Sequence, residues 1–109
     1  MPYDEGVADR IRTVLTGHAA ISEMRSFGGL SFLLNGNMCC GVLNDELVVR
    51  VGPDAYEDCV TQPHARPMDF TGRPMKGWVY IGPDGFGEDD ELEGWVARGV
   101  EFASSLPVK

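Results

Sequence analysis

The segment from Leu30 to Leu43 constrains the fold of this chain more than any other. Two almost wholly apolar runs, Leu30 to Leu34 and Met38 to Leu43, are separated by Asn35-Gly36-Asn37. An Asn-Gly pair between apolar runs is the strongest short hairpin signal, because both central residues of a type I′ turn need positive φ, which these two residues tolerate. Strands apolar on both sides have both faces covered, so these two belong in the middle of a sheet. Flanking runs extend the pattern. Ser22 to Phe27 precedes Gly28-Gly29, whose glycines permit positive φ between Phe27 and Leu30, and Glu46 to Val51 follows Asn44-Asp45, a weaker turn signal of the same kind. Four antiparallel strands are expected.

Helical spacing brackets the sheet. Behind Asp4, a good N-cap, the residues Val7, Ala8, Ile11, Val14 and Leu15 form one apolar stripe, so a helix is expected from about Asp4 to Thr16, ended by Gly17 in the left-handed conformation. Near the other end Leu92, Trp95, Val96, Gly99, Val100 and Ala103 keep the same spacing behind Asp89 or Asp90 as cap. Gly99 on the inner stripe lets that helix approach a neighbour closely. Between them, Gly52-Pro53-Asp54 opens a short helix to about Val60, closed by Pro63. The near-repeat Arg66-Pro67-Met68 and Arg73-Pro74-Met75 reads as two short extended pieces joined by a turn, and its prolines place it at a sheet edge. Lys76 to Ile81 is a further strand. The expected order is α-β-β-β-β-α-β-β-α, a two-layer α+β domain with a mainly antiparallel sheet and the N- and C-terminal helices packed on it. With 109 residues, one domain over 1–109 suffices, large enough to bury a core without staples.

Charge narrows the range of functions. Seventeen acidic against nine basic residues give a formal net charge of −8, which opposes general affinity for nucleic-acid phosphates or anionic membranes. The field is uneven. Six of the ten residues from Asp84 to Glu93 are acidic, whereas His64 to Lys76 holds Arg66, Arg73 and Lys76 against Asp69 alone. The acidic run lies at a helix start, where negative charge offsets the dipole. The N-terminus lacks a signal-peptide pattern, no run approaches the roughly 18 apolar residues of a membrane helix, and three cysteines make a poor disulfide framework, so a cytoplasmic location is expected.

No phosphate-binding glycine motif and no Cys-x-x-Cys spacing are present. Adjacent strand residues point to opposite faces, so Cys39 and Cys40 are not expected to share a metal site, and neither metal nor cofactor is expected. Two functional readings lead, from different classes, with direct DNA binding third because the net charge opposes it. In the first, Arg50, Arg66, Arg73, Lys76 and Trp78 form a proline-stiffened basic and aromatic surface that docks a protein partner; ordinary surface ion pairing accounts for these arginines equally well. In the second, Cys39 or Cys40 joins His64 and Asp69 in a cleft beside the sheet, as a small enzyme or small-molecule site. Self-association is open, with Pro67 and Pro74 partly blocking the edge.

Taken together, Phe27-Gly28-Gly29-Leu30, Asn35-Gly36-Asn37-Met38, Leu47-Val48-Val49-Arg50-Val51-Gly52-Pro53 and Gly72-Arg73-Pro74-Met75-Lys76-Gly77-Trp78-Val79-Tyr80, in this order and followed by the Leu92, Trp95, Val96 helix, resemble the N-terminal domain of the TfoX/Sxy family. The resemblance covers nearly the whole chain and implies a stand-alone version of that domain. Full-length members regulate natural competence with a cyclic-AMP receptor transcription factor and carry a second domain. The resemblance therefore implies a non-enzymatic, transcription-linked regulatory module, and it supplies no catalytic residues.

Overall fold

The computed structural model describes residues 3–18, 20–26, 28–68 and 76–107. Asp69, Arg73 and the second Arg-Pro-Met segment, on which parts of both functional readings rest, lie outside the described residues.

Helix α1 spans Glu5–Val14 and is capped as its sequence predicts: Asp4 Oδ1 accepts from Gly6 N at 2.8 Å and Val7 N at 3.2 Å. Its end differs from expectation. The chain tightens into a 3₁₀ turn over Leu15–Gly17, with His18 N donating to Leu15 O, and Gly17 is not left-handed. The tighter turn uses carbonyls the helix leaves unpaired and brings Leu15 into the core without a left-handed residue.

Four strands follow, β1 Ile21–Ser26, β2 Gly29–Leu34, β3 Asn37–Leu43 and β4 Glu46–Arg50, then α2 Tyr56–Val60, β5 Ala65–Pro67, β6 Trp78–Ile81 and α3 Asp89–Ser104. This is the expected α+β order. The β2–β3 turn has φ of 53° at Asn35 and 83° at Gly36, the pair of positive values that type I′ requires. In the next turn Asn44 alone is left-handed, φ 55°. The strands form one antiparallel sheet ordered β1-β2-β3-β4-β6-β5, with β2 and β3 internal and the Pro67-bearing β5 at an edge.

Helices α1 and α3 lie on one face of this sheet. Phe32, Val42, Leu47, Val49, Val79 and Ile81 meet Ile11, Leu92, Trp95 and Val96 there in the main core. The opposite face carries a smaller cluster of Val48, Met68 and Tyr80, flanked by the partly buried Met38, Leu43 and Trp78. Strands β2 and β3, two of the four internal strands, are thus fully covered on one side only, because both long helices choose the same face.

Helix α3 begins one residue earlier than its aspartates suggest. Glu88 is the N-cap, and its N–H donates to Glu91 Oε1 at 3.0 Å, which leaves Asp89 and Asp90 in the first turn to face the positive end of the dipole. Leu92, Trp95, Val96, Gly99 and Ala103 form its buried stripe, as their spacing predicts. Among the described residues no helix is long and apolar enough to cross a membrane.

A charged clamp ties α1 to β1. Arg12 donates through Nε and Nη2 to the two carboxylate oxygens of Glu23, each at 2.8 Å, and through Nη1 to Asp9. The Arg12 hydrogen bonds hold the Glu23 carboxyl below its ordinary pKa against an opposing effect of burial. A depressed carboxylate stabilises the fold above its unfolded-state pKa, and that contribution disappears as pH falls through the folded value. Both side chains are more than a third exposed, at 39% and 36%, so solvent screens the pair. Glu23→Gln is expected to lower stability by less than about 1 kcal/mol at neutral pH. Urea midpoints should converge with wild type as the solution is acidified past the carboxylate range. A gap that persists at acid pH would assign the effect to packing.

Candidate partner-docking surface

Strand alternation decides which side chains reach the helix-free face. In β4, Leu47 and Val49 enter the main core and Val48 the opposite cluster, so Glu46 and Arg50, two residues to either side of Val48, share its face. In β6, Val79 and Ile81 go to the helices while Trp78 and Tyr80 go to the other side. The antiparallel register then sets Arg50 opposite Trp78 and Val48 opposite Tyr80, and β5 adds Arg66 opposite Tyr80.

Two cation–π groups result. The Arg50 guanidinium carbon lies 5.2 Å from the centroid of Trp78 and 5.2 Å from that of Phe102, at the far end of α3. Arg66 lies 4.6 Å from the Tyr80 centroid and makes a two-pronged ion pair with Glu46, through Nη1 to Oε2 and through Nη2 to Oε1 at 2.8 Å. Arg and aromatic faces attract through the ring quadrupole, by about 0.5–1 kcal/mol at exposed sites. These contacts hold both guanidinium groups against the sheet. Met38, Leu43 and Trp78 are only partly buried beside them, and further along the same face Met24, paired with Ser31, is 52% exposed.

The structure therefore brings Arg50 and Trp78 into contact and joins Arg66 to Tyr80 one strand over. Lys76 is exposed in the turn before β6, where Gly77 O accepts from Val51 N and Gly52 N at 2.8 and 3.1 Å. Arg73 lies outside the described residues. Part of the predicted basic character is neutralised, because Glu46 takes up Arg66; pairing Glu46 with Arg66 requires knowing that β5 lies two strands from β4. Sequence alone does not mark Tyr80 or Phe102 as members of this surface. The alternation of Trp78 and Tyr80 was a usable signal for the first, while the second comes from an element far away in sequence.

Of the cysteine-centred arrangement, the described residues separate His64 from the strand cysteines. Cys39 and Cys40 are fully buried under the helices, whereas His64 opens on a shallow cleft of about 340 Å³ lined also by Gln62, Asp90, Trp95 and Arg98, with no cysteine among its lining residues. Asp69 lies outside the described residues. The cysteine nearest that side, Cys59, is buried with its Sγ accepting from Arg98 Nη1 at 3.5 Å, and burial pushes its thiol pKa up. The expectation that Cys39 and Cys40 point apart is overturned. Phe32 pairs with Cys40 but Leu33 with Met38, so Cys39 is the extra residue of a β-bulge, and its Sγ lies 3.9 Å from that of Cys40. Among the described residues no group of three or more His, Cys, Asp or Glu gathers to hold a metal ion.

A search of curated proteins finds no match. A family model described as the TfoX N-terminal domain matches residues 13–103, from the last turn of α1 to the last turn of α3. That span takes in the six described strands and the Asn35-Gly36 and Asn44-Asp45 turns, and on it the chain belongs to the TfoX N-terminal domain family.

Proposed function

We propose that this domain is a non-enzymatic, cytoplasmic interaction module whose helix-free sheet face docks a protein segment bearing both apolar and acidic side chains. The observation that carries the reading is the fixed position of Arg50 between Trp78 and Phe102, next to the partly exposed Met38, Leu43 and Trp78. Arg and Trp are enriched where partners bind, and methionine adapts to varied apolar surfaces. A preset guanidinium also loses little conformational freedom when a carboxylate arrives. Lys76 adds a mobile-stemmed positive charge at the rim. The net charge of −8 directs the surface towards protein and away from nucleic acid. Membership of the TfoX N-terminal family supports a regulatory role linked to transcription, with the partner a component of that machinery.

The test is affinity capture from cell extract with wild-type protein and an Arg50→Glu, Lys76→Glu variant whose thermal unfolding is checked first. One or more proteins retained by wild type should be lost from the folded variant, and should weaken with added salt. Identical retained sets would remove this face from consideration.

A further inference from the structure

The bulge in β3 creates an arrangement that the docking surface does not use. Cys39 and Cys40 are neighbours in sequence, yet both sulfurs lie on the helix side of the sheet, 3.9 Å apart and fully buried. Cys39 Sγ donates at 3.4 Å to Phe32 O, the carbonyl of the residue at which the register shifts. Directly above, the Cys39 carbonyl oxygen lies so close to α3 that a Cβ on Gly99 would stand 2.1 Å from it. One segment therefore holds a dithiol and the point at which α3 is seated.

We propose that Cys39 and Cys40 are a reversible oxidation site that closes to a vicinal disulfide with a small disulfide of the glutathione type, and that closing it loosens the seat of α3. In the first step one of the two thiols, as thiolate, attacks the oxidant's S–S bond; a mixed disulfide forms, and one small thiol leaves and takes the proton. The second cysteine then attacks the protein sulfur of that mixed disulfide, forming the Cys39–Cys40 bond and releasing a second small thiol. The two cysteines lose two hydrogens and two electrons, and the oxidant becomes two thiols.

Chain geometry makes this couple a switch and not a staple. Adjacent Cα atoms are ~3.8 Å apart across a trans peptide, short of the ~4.4 Å at which ordinary disulfides begin. The closed ring is therefore strained and easily reduced, and a loop of two residues removes almost no entropy from the unfolded chain. Closing it must twist the Cys39–Cys40 peptide, and the Cys39 carbonyl has no free space on its Gly99 side. Because both sulfurs are buried, exchange requires α3 to open first, so oxidation tracks the population in which that helix is lifted.

The test uses the full chain, reduced and then incubated with oxidised glutathione in buffer and in urea just below the unfolding transition. Free thiols are blocked before peptide mapping and mass measurement. The expected product has lost two hydrogens, carries the bond between Cys39 and Cys40, forms equally in Cys59→Ala, and reverts with dithiothreitol. Amide exchange in α3 around Gly99 should rise roughly tenfold in the oxidised protein. A bond that involves Cys59, a mixed glutathione adduct that never resolves, or a pair still reduced in the urea arm overturns the proposal. Unchanged exchange in the oxidised protein overturns the coupling to α3.

Discussion

Gly99→Ala is expected to destabilise the domain by at least about 2 kcal/mol, although alanine is by far the better helix former. In an exposed helix interior the same change stabilises by about 1 kcal/mol. Here the added Cβ would stand 2.1 Å from the carbonyl oxygen and 3.0 Å from the carbonyl carbon of Cys39, with Val49 Cγ1 at 3.3 Å. The first two are backbone atoms of an internal strand and cannot rotate aside, so α3 itself must lift, thinning the contacts of Trp95, Val96 and Ala103. For a domain of this size the loss corresponds to a melting temperature lower by roughly 8 °C or more. Gly94→Ala on the same helix is the control: nothing lies within 4 Å of its Cβ, so this change should stabilise. Equal melting temperatures for wild type and Gly99→Ala would show that the helix is not seated on Cys39.

Gly99 is a position where sequence reasoning reached a three-dimensional fact. A glycine on the apolar stripe of an otherwise sound helix has few uses besides close approach, so its position signals contact, although not with what. The Asn35-Gly36 turn was legible for a similar reason, since positive φ at two successive residues is a local demand met by few side chains. Departures arose where a local rule met a non-local constraint. Alternation along β3 predicts that Cys39 and Cys40 point apart, but the register change against β2 inserts an extra residue there, and no property of Met38-Cys39-Cys40-Gly41 announces it. Gly17 is expected as a left-handed stop, whereas the helix tightens and needs none. On the helix-free face, sequence alone singles out both Arg50 and Trp78, and the pairing of β4 with β6 explains why they meet. That Arg66 pairs with a surface carboxylate fits the ion-pair reading, but the choice of Glu46, across β6, depends on strand order and is not legible in the sequence.

Gly52→Ala tests the connection between the fold and that face. Gly52 follows β4 with φ 87°, a conformation that costs a residue with a Cβ about 1–2 kcal/mol. A Cβ there would also stand 2.4, 2.6 and 3.0 Å from Cδ1, Cε1 and Cγ of Phe102; with Cγ included, swinging the ring tip away is not enough, and the whole side chain must leave. The combined loss is expected to be about 2–3 kcal/mol. The two causes separate in a double-mutant cycle: with Phe102→Ala already in place the steric part vanishes, and Gly52→Ala should cost only the backbone part, about 1–2 kcal/mol. Urea unfolding of the four proteins measures this, and strict additivity would contradict the contact. Phe102 is also one of the two rings that hold the Arg50 guanidinium, so Gly52→Ala should weaken partner capture even though it leaves every charged residue in place. Phe102→Ala should weaken capture to a similar degree while carrying no backbone strain. If both folded variants retain partners as wild type does, the position of Arg50 between its rings is a packing feature of the fold and the proposed docking reading loses the observation that carries it.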